Sequence, residues 1–172
     1  MGKVAVCGLG PSIDLYKPEY DLSIGVNDIW SKIKTDYIVC VDRKERFAAE
    51  RLKIINDSKP IKFFTQLEEW NYRSDYCKIE LQPYYPDYVC QLGIKQIPKS
   101  FCSPFVACAI AFNYFHASEI HLFGVDMNNH PNLKGGTLDK IKLHFKNLKI
   151  ALRQNGCEMI IHGDGILKSL NN

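Results

Sequence analysis

The sequence predicts an α/β domain in which a mostly parallel sheet of six to seven strands carries helices on both faces. Two observations lead there. Apolar runs of strand length alternate with helical stretches along the chain, and parallel pairing needs such crossover helices between strands. The first apolar run is followed at once by a bend with two glycines, Gly8 and Gly10, where a strand can turn sharply into the next element. A chain of 172 residues fits one domain, 1–172, and no linker, repeat or low-complexity tract divides it. The expected architecture is Rossmann-like.

The elements follow in order. Lys3–Cys7 is the first strand, and Pro11 and Ser12 after the bend open the first helix. Leu22–Val26 and Tyr37–Val41 are the next two strands. Arg43–Asn56 reads as an amphipathic helix, with Phe47, Leu52, Ile54 and Ile55 apolar and Arg46, Glu50, Arg51 and Lys53 polar. Ile61–Thr65 is a fourth strand. Leu67 to Phe101 then breaks the rhythm, with Trp70, Tyr72, Tyr76, Tyr84, Tyr85 and Tyr88 among Pro83, Pro86 and Pro98. Two readings of it stand side by side: a binding loop that acts as a reduced lid, or an edge excursion packed by its own aromatics.

Ser103–His116, "SPFVACAIAFNYFH", is apolar on nearly every side and should lie buried against the sheet. Ser103 suits its N-cap and Pro104 its first turn. Ile120–Gly124 is a strand, Leu138–Gln154 a helix with Ile141, Phe145, Leu148 and Leu152 on one face, and Asn155-Gly156 its stop. Met159–His162 completes the sheet.

Composition narrows the function classes. With 46% hydrophobic and 24% charged residues and a net charge of +3, the chain has no dense basic face of the kind nucleic-acid binders carry, and it suits a small anionic ligand. The seven cysteines sit singly within or beside apolar runs and form no C-x-x-C pair, which points to reduced core thiols rather than disulfides or structural zinc. No signal-peptide-like region opens the chain and no apolar run reaches membrane-spanning length, so a cytoplasmic location is expected.

The glycine bend, "VCGLGPSID", has a chemical reading. Without side chains at Gly8 and Gly10, backbone N–H groups can approach a phosphate, and the N-terminus of the helix opened by Pro11 and Ser12 adds partial positive charge. The alternative is a tight strand-to-helix turn that binds nothing. Neither the third glycine of the dinucleotide fingerprint nor the lysine of the P-loop is present. Other strand ends carry polar residues: Asn27 and Asp28, then Asp42 and Arg43, then Gly124, Asp126, Asn128 and His130. Ligands of open α/β sheets bind outside the carboxyl ends of the strands, so these clusters point to one crevice, although Asp and Asn there also cap helices.

These residues resemble those of a known family. "GLGPSID" is similar to the glycine loop of the family 42 sialyltransferases and of two related groups, the motility-associated flagellin glycosyltransferases and the archaeal 6-hydroxymethylpterin diphosphokinases. "SPFVACAIAFNYFHASEIHLFGVDM" resembles their buried Ala-rich helix followed by a strand and Gly-(Ile/Val)-Asp, and "GVNDIW" resembles the strand end whose Asn contacts the nucleotide.

The resemblance implies a metal-independent transfer of sugar from a CMP-sugar donor to a glycan or small-molecule acceptor, with a histidine as general base. By motif, Gly8, Leu9, Gly10, Pro11 and Ser12 would line the phosphate, Asn27 and Asp28 the nucleotide, and Ser103 the phosphate or ribose. Asp42, Gly124 and Asp126 would stand beside them. His130, in the loop after "GVDMNN", and His144, in "HFKN", are the two candidate bases, with His130 slightly favoured because His144 falls inside a helix. Leu9 departs from the family's Asn, and little chain is left for a lid. The alternatives are a diphosphokinase whose magnesium would be held by Asp42, Asp126 and Asp164, and a lid-less nucleotide-binding module without catalysis. A homo-oligomer is compatible with either.

Overall fold

The computed structural model describes residues 2–82, 97–98, 100, 102–128 and 136–171. Its strands are β1 (Lys3–Cys7), β2 (Leu22–Val26), β3 (Tyr37–Val39), β4 (Lys62–Thr65), β5 (Tyr76–Lys78), β6 (Leu81–Gln82), β7 (Ile97–Pro98), β8 (Glu119–Phe123) and β9 (Glu158–Ile161). Its α-helices are α1 (Ala49–Asp57), α2 (Ser103–Phe115) and α3 (Gly136–Gln154). Seven strands form one sheet in the order β5-β4-β3-β2-β1-β8-β9, every pair parallel, and β6 and β7 form a separate parallel pair. This is the predicted Rossmann-like α/β class.

Strand order places the site. From central β1 the chain builds outward through β2 to β5, then returns to add β8 and β9 on the other side, with Val6 paired to Ile24 on one flank and Leu122 on the other. The connections leaving β1 and β8 therefore run to opposite sides, a topological switch point where open α/β sheets hold their ligands.

Alternating side chains divide the core. Val4, Val6, Ile24, Ile120 and Leu122 face α2 and α3, while Ala5, Cys7, Ile38, Phe63 and Phe123 face Ile13, Ile29, Phe47, Ile55 and Trp70. α2 packs on β1 to β3 with α3 and β7 against its other sides, which is why Phe105 through Ala111 are fully buried and its sequence shows no polar face. α3 stops as predicted, with Gly156 at φ +77°. Burial pushes the thiols of Cys7, Cys40, Cys102 and Cys157 up to about 12, as expected of inert core cysteines. Among the described residues no helix is long and apolar enough to cross a membrane.

Three local expectations need correction. The element after the glycine bend is a 3-10 turn, Pro11–Leu15, and not a helix with a usable dipole. The helix expected over Arg43–Asn56 begins only at Ala49, because Phe47 and Ala48 are extended. Phe47 is thereby turned into the second core, and the Lys44 amide donates to Glu69. At α2 the N-cap position is Cys102, with Ser103 inside the helix. In the aromatic segment, Trp70 packs against Phe63 and Phe47, and Tyr76–Lys78 is the edge strand of the main sheet, so this part is structural. The expected lid portion, with Tyr84, Tyr85 and Tyr88, lies outside the described residues.

Candidate functional site at the carboxyl edge of the sheet

The glycine bend is closed on itself. Gly8 N–H donates to the Phe123 carbonyl at 2.7 Å and Gly10 N–H to the Gly124 carbonyl at 2.8 Å. Ser12 donates from both its N–H and its Oγ to Asp126 Oδ2, each at 2.9 Å, and its Oγ accepts from Gly124 N–H at 2.8 Å. A Cβ on Gly8 would stand 2.4 Å from the Gly124 carbonyl oxygen, and one on Gly10 would stand 2.4 Å from Asp126 Oδ2. The two glycines therefore exist so that the ends of β1 and β8 can touch, with Gly124 itself at φ +64°.

The amides of Gly8, Gly10 and Ser12, expected to face a phosphate, are bonded to the end of β8 and Asp126 in this structure. The anion in the bend is the buried carboxylate of Asp126. Gly163, at φ +93°, seals the far side, since a Cβ there would meet Ser12 Cβ at 2.3 Å. Of the bend's amides, Leu9 N–H alone has no acceptor among the described residues, while its side chain packs into the second core. Pro11 is exposed.

On the β2 side of the switch point the picture differs. Asn27 follows β2 in the left-handed conformation, φ +53°, which Asn tolerates better than most residues. Its main chain is held by an N–H bond to the Val39 carbonyl at 3.1 Å. Ser103, buried at the start of α2, donates from Oγ to Asn27 Oδ1 at 3.3 Å. That bond joins residues 76 positions apart. It leaves Asn27 Nδ2 and Ser103 N–H without acceptors among the described residues, at the positive end of a 13-residue helix. Donors lacking acceptors beside a helix N-terminus form an anion-accepting corner.

The remaining predicted residues have other partners. Both oxygens of Asp28 are taken by Arg51, at 2.6 and 2.9 Å, which ties the end of β2 to α1. Asp42 accepts from Arg46 at 3.2 Å. Asp164 pairs with Lys168 on the surface, and "HGDG" is the tight turn that carries Gly163. Asp42, Asp126 and Asp164 are thus committed separately, and among the described residues no group of three acidic, His or Cys side chains could hold a metal. His130 lies outside the described residues. His144 sits in mid α3, buried, with its ring 5.8 Å from that of Phe105, two residues beyond Ser103. Burial and nearby Lys140 hold its pKa below the usual histidine value.

One constellation escaped the sequence. His121 in β8 and His162 just after β9 are bonded ring to ring, with Glu119 on the far nitrogen of His121. The available signal was period two: Glu119, His121 and Phe123 share a strand face, and "MIIH" ends the neighbouring strand.

No protein-family model matches the chain, and no curated protein matches it. Among solved structures it is similar to one described as the sialyltransferase CstII from Campylobacter jejuni in complex with a substrate analogue, CMP-3FNeuAc. Identity is 12% and the TM-score 0.56, over 94% of this chain and 80% of that one. At that identity the likeness establishes a shared fold.

Proposed function

We propose that this chain binds a CMP-linked sugar at the carboxyl edge of its sheet and transfers the sugar to a hydroxyl acceptor. The observation that carries this is the meeting of Asn27 with Ser103 beside the β1/β8 switch point, which leaves two donors at the start of α2 without acceptors among the described residues. The fold shared with a sialyltransferase solved with a CMP-sugar analogue supports the choice of donor. The phosphate would rest on the Asn27–Ser103 corner and the Leu9 amide, not inside the glycine bend.

In the transfer, the bond between the anomeric carbon and the phosphate oxygen breaks and CMP leaves with the electron pair. Ser103, Asn27 and the α2 dipole face the charge that gathers on the phosphate. The acceptor oxygen forms the new bond and its proton passes to a histidine, His144 or His130. Burial favours neutral His144 near pH 7, the form a base requires. Loss of the pH-dependent limb of the rate in His144→Gln or in His130→Gln identifies which one acts.

A second reading, a nucleotide-binding module without turnover, is favoured by the commitment of the bend's amides to Asp126 and β8. Calorimetry with CMP, UMP and GMP, with and without EDTA, and an assay of CMP release from a CMP-sugar separate the two. CMP binding unaffected by EDTA and accompanied by CMP release supports transfer. Binding without release supports the module, and no binding to any nucleotide overturns both.

A further inference from the structure

Glu119, His121 and His162 form a hydrogen-bonded chain across β8 and β9. His121 Nε2 lies 3.1 Å from Glu119 Oε2, and its Nδ1 lies 3.0 Å from His162 Nε2. An ionised carboxylate only accepts, so His121 Nε2 carries a hydrogen and, in the neutral pair, its Nδ1 accepts one from His162. The rings are 17° from coplanar with centroids 5.3 Å apart, a separation accounted for by the 3.0 Å contact plus two ring radii. The nitrogens therefore meet head-on and hold one hydrogen between them. A bridging zinc would need two Zn–N bonds of about 2.0 Å each in that line, more than the gap allows.

Proton count decides what the pair can do. A first added proton leaves one hydrogen between the rings, whichever ring carries the charge. A second sets N–H against N–H and one imidazolium against another. The groups facing the pair do not relieve this. Glu119 is already shared with Lys3 at 3.1 Å, Tyr20 lies over His121 with Tyr16 beyond it, Phe123 stacks on His162, and the Cys7 thiol is neutral. On the turn side stand Asp126, engaged by Ser12, and Asp164, paired with Lys168.

The pair stands at the root of the Gly163–Gly165 turn, which is held further on by buried Leu167 and by Asn171 on Ile161. His162 N–H bonds the Leu122 carbonyl at 2.9 Å, and the next residues are Gly163 and Gly165, packed against Ser12 and Asp126. Beyond the turn, the Ile166 N–H bond to the Asp126 carbonyl, 3.0 Å, fastens its far side by main chain. We propose that the His121–His162 pair is an acid-operated latch on the glycine bend. While the rings share one hydrogen they hold the Gly163–Gly165 turn against Ser12 and Asp126; when both rings are protonated the turn is released. The latch goes beyond nucleotide binding and operates in the unliganded chain.

Histidine resonances and amide exchange of the full chain, followed by NMR from neutral to acidic pH, test it. The pair is expected to titrate in two steps. Protection of the Ser12 and Ile166 amides, corrected for intrinsic exchange, should fall about tenfold with the lower step. In His162→Gln the carboxamide still donates to His121 but takes up no proton, so protection stays level there. Should the variant fail to fold, coincidence of the second step with amide release in the wild type decides. Two rings titrating independently at ordinary values, or wild type and variant losing protection together, would overturn the latch.

Discussion

Replacing Asp126 distinguishes a structural bend from a phosphate seat. Its Oδ2 accepts two bonds from Ser12, and both residues are 6% exposed. Asp126→Ala strands a buried N–H and a hydroxyl; a bond to a charged group contributes about 1.5–3 kcal/mol and an orphaned donor costs about 1–3 kcal/mol. The combined loss should be about 3–4 kcal/mol, or about 6–16 °C in Tm for a chain of this size. Asp126→Asn should cost only about 1 kcal/mol, because both bonds land on one oxygen that a carboxamide can supply. Urea unfolding with unchanged m-values measures both losses, and calorimetry measures CMP binding. If the bend is filled by its own carboxylate and the nucleotide lies elsewhere, Asp126→Asn leaves CMP affinity within about twofold. A gain of about tenfold or more would mean that phosphate competes with Asp126 for the bend, and equal stability losses in the two variants would refute the hydrogen-bond account.

Other perturbations probe the neighbouring elements. Asn27→Gly removes the side chain while keeping a residue at ease at φ +53°, so CMP affinity should fall about three- to tenfold with stability nearly unchanged, whereas Asn27→Ala should also unfold earlier in urea. Removing Arg51 leaves the buried Asp28 carboxylate unpaired; Arg51→Ala should cost about 1–3 kcal/mol in urea unfolding without changing nucleotide affinity. Burial holds His144 and His162 below the usual histidine pKa, with the His121 charge adding at His162. The unfolded chain therefore binds more protons once pH falls below about 6.5, and the urea midpoint, level above that pH, should decline beneath it. His144→Phe should flatten that decline.

Periodicity carried the fold: alternation in "KVAVC" and the run of small apolar residues in α2 placed the sheet and its buried helix within a residue or two. It could not show how two distant strand ends pair. The glycines of the bend read as room for a phosphate or for a neighbouring backbone, and the contact of Gly8 with Gly124 shows the second use, which no local pattern announces. The early start expected for the helix at Arg43 failed for a related reason, since Phe47 is drawn into a core layer that local propensity does not register. Asn27 and Ser103 were each marked by position after a strand or before a helix, and their partnership follows from the parallel order of β1 and β2 over α2. The His121–His162 bond joins side chains 41 positions apart, and period two places each on a strand face without marking the two as partners.

Whether an anionic nucleotide docks at the start of α2 is best tested by a crystal structure of the chain with CMP. The phosphate should lie within hydrogen-bond distance of Ser103 and Asn27 Nδ2, with Ser12 still bonded to Asp126. Phosphate seated between Gly10 and Ser12 with Asp126 displaced, or no CMP bound at saturating concentration, would contradict it.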